Sequence, residues 1–292
     1  MSFETPDRAH RLNLGAAFAS VAVAVLLILM KLGALVATGA LSVAASLVDS
    51  ALDLVASLAA LVAIRYAAKP PDADHSFGHS SIEDLVALGQ AVIVAVSAIA
   101  IGWNGVRRLG APQELAAEGL GMAVMAFAIA VTVALVLWQG HVARRTGSKV
   151  VAADRMHYIA DLYPNLGALV ALWAASSFGI LWLDPVVALV ACALILWGAR
   201  RIGLDAWHAL MDREASSAVV ARVAGVLDRH PGLAGWHELR TRTAGARVFV
   251  QVHVEIDGAL TLREAHEIAA ALRREIIAAV PQADVIIHQD PA

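Results

Sequence analysis

The stretch Leu41–Tyr66, LSVAASLVDSALDLVASLAALVAIRY, decides the fold. A bilayer core of roughly 30 Å needs about 20 apolar residues in helical form, and this stretch is long and apolar enough to supply them. Its charged residues are Asp49, Asp53 and Arg65. Arg65 stands near one end, where a long side chain reaches water. The two aspartates stand in the middle, where each intramembrane charge costs about 2.5–3.5 kcal/mol on insertion scales. They are four residues apart, so they share one helix face. The stretch reads as a membrane span whose carboxylates have a use.

Five more stretches of the same kind flank it: Leu12–Val36, Ile82–Val106, Leu115–Gln139, Val150–Ser176 and Pro185–Leu204. Turn-forming residues separate them, among them Thr38-Gly39, Lys69-Pro70-Pro71-Asp72, Gly110-Ala111-Pro112, Arg144-Arg145-Thr146-Gly147 and Asp184-Pro185. The whole chain is 59% hydrophobic and 16% charged. Soluble chains are near half apolar with about a quarter charged, so the excess, which lies in the first two-thirds, marks a membrane domain. The apolar run after Met1–Leu12 is too long for a signal-peptide core and is expected to be a retained first span. Six spans place both termini on one side. Arg8, Arg11, Arg65, Lys69, Arg144, Arg145, Lys149, Arg200 and Arg201 fall on that side, against Arg107 and Arg108 on the other. The positive-inside rule therefore expects both termini in the cytoplasm. Several tryptophans, Trp103, Trp138 and Trp197 among them, fall near span ends, as interfacial anchors do.

Beyond Leu204 the pattern changes. Glu214–Arg229 and Leu262–Val280 read as amphipathic helices, and Gly235–Arg242, Arg247–Ile256 and Asp284–His288 as strands. The second strand sets Val248, Val250, Val252 and Val254 on one face. The expected fold class is thus a six-helix, all-α membrane domain (residues 1–204) followed by a small α/β domain of order αββαβ (residues 205–292). A net charge of −3 leaves no basic field for nucleic acid. The single cysteine, Cys192, supports neither a disulfide framework nor a thiolate metal site within one chain.

The fifth span repeats the device of the second: His157 and Asp161 are also four apart. Asp49 lies roughly 12 Å from one end of its span, and His157 roughly 10 Å from the opposite membrane face. All four residues fall at comparable depth. Three carboxylates gathered there repel one another unless a cation or protons compensate, and three oxygens with one imidazole suit a zinc-like ion. The plain alternative is pairing with helix hydroxyls or with Lys31, mid-span in the first helix; Lys31 reads as a structural partner rather than a ligand. An intramembrane aspartyl protease is the rival chemistry. It needs Tyr-Asp and Gly-x-Gly-Asp settings that are absent here. A metal sensor or scaffold that moves nothing is the other alternative.

Two further groups carry ligand chemistry. Asp72, His75 and His79 lie in the loop between the second and third spans at spacings of three and four, with Asp74 as a spare carboxylate. Three such ligands and an open position suit zinc; a solvated loop is the plain alternative. The soluble domain holds His237, His253, His266, His288 and Asp290, and the last two alternate along the final strand and so share a face. Converging ligands from several elements suggest a cluster of one or two ions. Arg240 and Arg242 alternate on the first strand and could serve carboxylates across a dimer, but read first as solvated residues.

These residues in their settings resemble the cation diffusion facilitator family, most closely its bacterial zinc and ferrous-iron efflux branch. The likeness runs through Gly39-Ala-Leu-Ser42, the Asp49/Asp53 pair, the loop Asp72–His79, the His157/Asp161 pair, Asp184-Pro185, His237-Glu-Leu-Arg-Thr-Arg242 and Ile286-Ile-His288-Gln-Asp290. It implies a non-enzymatic, proton-coupled exporter of divalent metal in the inner membrane. Zinc is the first expected cargo, with ferrous iron or cadmium as alternatives, and the working form is a homodimer. It implies transport ligands at Asp49, Asp53, His157 and Asp161, loop ligands at Asp72, His75 and His79, and a metal cluster that joins two soluble domains. Two departures stand out. Pro164 removes a backbone donor just after Asp161, and Ser80-Ser81 stands where the family habit has a basic residue.

Overall fold

Each expected span is a helix over its described residues, and most run on past the expected ends: α1 (Pro6–Thr38), α2 (Leu41–Ala67), α3 (Ile82–Gly110), α4 (Gly119–Thr146), α5 (Lys149–Phe178) and α6 (Leu183–Leu210); the first residues of the fourth expected span, 115–118, lie outside the described residues. The structure is a computed structural model that describes residues 6–38, 41–110, 119–178 and 183–292. Side chains are described except at 6, 35, 37–38, 41–46, 48–49, 52, 108–110, 119–125, 164–165, 167–178, 183–185 and 187. Among the described residues, Asp7–Ala34, Ile82–Arg107 and Ala126–Thr146 are long and apolar enough to cross a bilayer. Val36, Val62, Val96, Trp103, Leu137 and Trp197 stand exposed on the outer faces of the helices. A soluble protein avoids an apolar surface of that extent, whereas lipid covers it.

The turn between α4 and α5 shows how sequence sets a helix boundary. Gly147 takes a φ of +70°, which glycine adopts without a Cβ penalty. Ser148 then caps α5, its Oγ accepting from the backbone N–H of Val151 at 3.3 Å. The helix that follows is unbroken from Lys149 to Phe178, so Pro164 does not end it. α5 occupies the middle of the bundle, packed against α6, α3, α4, α2 and α1. Alanines make the close approach possible: Ala87 of α3, Ala153 of α5 and Ala206 of α6 form one buried cluster. Ala206 lies beyond Leu204, and α6 continues past the expected span end with this small-residue contact intact.

The soluble part has the order α7 (Ser217–Leu227), β1 (Gly235–Ala244), β2 (Arg247–Ile256), α8 (Leu262–Ala279), β3 (Ala283–Pro291). The sheet order is β1-β2-β3, with β1 antiparallel and β3 parallel to β2. The four valines of β2 are buried in one core with Val219, Val223 and Leu227 of α7 and Leu272 and Ile276 of α8. Each such side chain contributes roughly 1.5–3 kcal/mol. Helix α8 opens on a capping box, in which Thr261 N–H donates to Glu264 Oε2 at 2.8 Å and Glu264 N–H to Thr261 Oγ1 at 3.4 Å.

The β1–β2 hairpin tip touches the start of α3. Gly245, at φ +54°, donates its N–H to Asp84 Oδ2 at 2.7 Å. A Cβ there would lie 2.5 Å from the Ser80 carbonyl. Asp84 Oδ1 also holds Lys149, the first residue of α5, at 2.8 Å. Arg242 is not a merely solvated residue: its guanidinium lies over Phe249 (4.1 Å) and Phe77 (5.4 Å) and pairs with Asp212 at 3.3 Å. Arg240 pairs only locally with Glu238. The α2–α3 loop, the start of α5 and the soluble domain therefore meet at one end of the bundle.

Candidate metal centres

The first centre lies inside the bundle. Asp53 on α2 and His157 on α5 are 8% and 7% exposed. His157 Nε2 lies 3.0 Å from Asp53 Oδ1, and Asp161 completes a set whose ligand atoms all fall within 4.8 Å. The i,i+4 spacing on α5 turns His157 and Asp161 to the same helix, α2. The side chain of Asp49, the fourth expected ligand, lies outside the described residues, as does that of Pro164. Lys31 donates to Ser50 Oγ at 2.6 Å, in keeping with a structural partner. An imidazole and two carboxylates at this separation fit a borderline divalent ion and leave room for a further ligand.

The second centre is the loop. Asp72 Oδ1 accepts the backbone N–H groups of Asp74 (3.1 Å) and His75 (2.8 Å), folding the loop back so that both histidines reach the same carboxylate. His75 Nδ1 lies 3.4 Å from Oδ1 and His79 Nε2 3.2 Å from Oδ2. The His75 backbone hydrogen bond foremost, with the Asp74 N–H and both imidazoles in support, holds the Asp72 carboxyl below the usual carboxylate range against a smaller opposing effect of desolvation. The His79 side chain is 2% exposed, set edge-on to Tyr66, and its Nδ1 is buried without a hydrogen-bond partner. The other nitrogen, Nε2, faces the Asp72 carboxylate, and together with His75 it gives three ligand atoms within 4.8 Å of one another, a set that fits a divalent metal.

The third centre lies on the open face of the sheet. Strand register sets His237, His253 and His288 opposite one another, one from each strand. A bulge between His237 and Arg240, with Glu238 at φ +50°, precedes the regular pairing of the rest of β1. Asp290, two residues along β3, joins the three: its Oδ2 lies 3.0 Å from His253 Nδ1 and 3.5 Å from His237 Nε2, and its Oδ1 3.2 Å from His288 Nε2. The hydrogen bond from His253 chiefly holds the Asp290 carboxyl below its ordinary range. Glu255, unforeseen in the sequence, approaches His237 at 3.9 Å. His266 is exposed on α8 and is not brought into this group.

One buried residue escaped sequence reasoning. Asp154 is 2% exposed and bonds to Ser20, Ser57 and Gln139. Its signal was present in the spacing, because Asp154, His157 and Asp161 fall three and four apart along one face of α5.

Comparison with known proteins bears on the whole chain. The family model described as the cation efflux transmembrane domain matches residues 17–211. The model for the cation efflux protein cytoplasmic domain matches residues 215–292. A cation-efflux pump FieF of Pectobacterium carotovorum is 42% identical over 276 residues, 94% of this chain and 92% of the relative. The same-named protein of Serratia proteamaculans is 40% identical over 281 residues, 96% of this chain and 93% of its own. Among solved structures, the metal-bound C-terminal domain of the CzcD transporter from Thermotoga maritima is 29% identical, with a TM-score of 0.25, covering 25% of this chain and 87% of that one. The chain belongs to the cation efflux family, the cation diffusion facilitators, and is a membrane transporter of divalent metal cations, not an enzyme.

Proposed function

We propose that this protein exports zinc from the cytoplasm by alternating access, in exchange for protons, with ferrous iron or cadmium as alternative cargo. The observation that carries the proposal is the buried Asp53–His157–Asp161 set, with His157 at 3.0 Å from Asp53. Mixed nitrogen and oxygen ligands favour zinc over manganese or magnesium. Metal ligands must be deprotonated, so metal and protons compete for the same atoms. His157 is the natural proton carrier because an unperturbed imidazole titrates nearest neutrality. Asp49 is assigned as the fourth ligand.

Residues 1–204 are assigned to transport and 205–292 to metal-dependent control, with both termini in the cytoplasm of a cell bounded by this inner membrane. The working unit is a homodimer. The His237/His253/His288/Asp290 group, with Asp72/His75/His79 in the loop, binds metal on the cytoplasmic side and tightens the dimer. His266 belongs to that group only if the partner subunit or a shift of α8 brings it close.

The test is flux in proteoliposomes with zinc, iron, cadmium and manganese in competition and a pH-sensitive dye trapped inside. Zinc preference with opposite proton movement is expected. Manganese preference would reject the cargo, and zinc flux with no linked proton movement would reject the exchange. A peptide-hydrolysis assay on the same preparation is expected to give no activity.

A further inference from the structure

One turn of α5 before His157 lies a carboxylate that the metal centre does not use. Asp154 Oδ2 accepts from Ser20 Oγ at 2.6 Å and from Gln139 Nε2 at 2.7 Å, and its Oδ1 lies 3.4 Å from Ser57 Oγ. Ser57 Oγ is 2.9 Å from the Tyr158 hydroxyl, which donates to the Ser20 carbonyl at 3.0 Å. Helices α1, α2, α4 and α5 thus meet around it. These hydrogen-bond partners are all neutral, and no Lys, Arg or His among the described residues is ion-paired with it. α5 carries Arg155, whose Nε is turned to the Val136 carbonyl at 3.1 Å, and also His157, Tyr158 and Asp161. α2 carries Asp53; α1 and α4 present Ser20 and Gln139. Other cationic or imidazole groups on the surrounding elements are Arg8, His10, Arg11 and Lys31 on α1, Arg65 on α2, His141, Arg144 and Arg145 on α4 and Lys149 on α5, none of them ion-paired with Asp154 among the described residues. An ionised carboxylate is costly in such a place unless a cation compensates it, and a neutral one is not.

The Ser20 hydroxyl accommodates both forms. It has one proton and lies 3.0 Å from the Ala16 carbonyl and 2.6 Å from Asp154. With Asp154 ionised, the hydroxyl donates to the carboxylate. With Asp154 protonated, the carboxyl donates to Ser20 Oγ and the hydroxyl turns to Ala16. The Gln139 amide lies 2.8 Å from Ser20 Oγ and 2.7 Å from Asp154, and its two N–H groups bond both in either state. Rotation of one hydroxyl therefore switches the site between charge states without moving a side chain.

We propose, resting on the metal–proton exchange above, that Asp154 carries a proton while the intramembrane metal centre is empty and releases it towards the soluble-domain end when a divalent cation binds one turn away. The carboxyl O–H bond breaks, the proton passes to water, and the dication at Asp53, His157 and Asp161 compensates the charge left behind. Asp154 lies on the right side for this. α5 starts at the soluble-domain end, and Asp154 is nearer that end than His157 by about 4.5 Å at 1.5 Å per residue. Asp154 is a charge-compensating residue, not a ligand.

Asp154→Asn is the test, because the amide keeps a donor for Ser20 and holds no titrating proton. Zinc is titrated into the purified full-length protein in weakly buffered detergent, and bound zinc and released protons are counted together. The loop and soluble-domain centres contribute equally to parent and variant, so the difference isolates Asp154. The variant is expected to bind zinc and to release about one proton fewer per protomer, with a flattened pH profile of flux in proteoliposomes. Equal proton release with an unchanged profile overturns the role of Asp154. A parent that releases no protons on binding overturns the exchange itself, a separate result. If Asp154→Asn does not fold, Ser20→Ala removes the two-way hydroxyl and keeps the carboxyl. Its proton count is expected to stay and its pH midpoint for flux to move, and an unmoved midpoint overturns the assignment.

Discussion

Asp161 and His157 owe their place to a spacing of four on α5, and each supports a prediction that separates ligand from scaffold. Asp161→Asn removes one carboxylate from a centre whose ligand atoms lie within 4.8 Å. Flux is expected to fall by more than the roughly 10–100-fold that loss of an outer-shell partner costs. The variant is expected to elute as the parent does on size exclusion, because the folded empty centre gains from one charge fewer. His157→Asp makes the centre all-oxygen, which suits manganese. A variant that still transports is expected to gain manganese relative to zinc, measured as the flux ratio; a parental ratio with a parental pH profile would remove His157 from the ligands. In the loop, the Asp72 carboxyl is held below its ordinary 3.8. Its depressed value makes its contribution present above that pH and lost only in strong acid. Asp72 is therefore expected to stay ionised and able to hold loop metal as the pH falls from about 7 to 5. Asp72→Asn is expected to weaken zinc binding by the loop across that range, measured by zinc titration of the full chain, and unchanged affinity would remove Asp72 from the loop ligands.

At the scale of elements, the hairpin tip is the joint between the two parts of the chain. Gly245 has a positive φ, lies close to the Ser80 carbonyl, and bonds Asp84, which in turn holds Lys149 at the start of α5. Gly245→Ala is expected to destabilise this joint by about 1 kcal/mol or more, since a Cβ is strained at that φ and meets backbone. The check is a lower thermal midpoint together with faster proteolysis of the 211–216 segment. An unchanged midpoint would mean the tip carries no load. The strands and helices were legible because their periods are local. The valine alternation of β2 and the spacings in α2 and α5 need no distant partner to be read. Their ends were less so. α6 continues to Leu210, where Ala206 finds its neighbours only from α3 and α5.

For the whole molecule, the separation of the buried centre proposed for transport from an open-faced histidine row predicts separable losses. His288→Ala or Asp290→Ala is expected to weaken metal binding by the fragment 205–292, read by calorimetry, through loss of contacts at 3.2 and 3.0 Å. Transport by the full chain is expected to fall without vanishing, because both residues lie outside the bundle. Unchanged affinity and stoichiometry in the fragment would reject the cluster, and abolished transport would reject its separation from the pathway.

The sequence by itself determined the six apolar helices, the helix face that His157 shares with Asp161, the valine core of the sheet, and the family. Hydrophobic runs, i,i+4 spacing and period-two alternation are properties of neighbouring residues, and backbone geometry converts them directly into faces. Only the tertiary structure decided which chemistry-bearing residues meet. His237, His253 and His288 form a row through strand register and the bulge before Arg240, while His266, equally plausible in the sequence, stays apart on α8. Arg242 finds Phe77, Phe249 and Asp212, and Asp154 finds Ser20, Ser57 and Gln139 from three other helices. Such meetings depend on register and helix packing, whose energies are spread over many residues far apart in the chain, so no local pattern announces them.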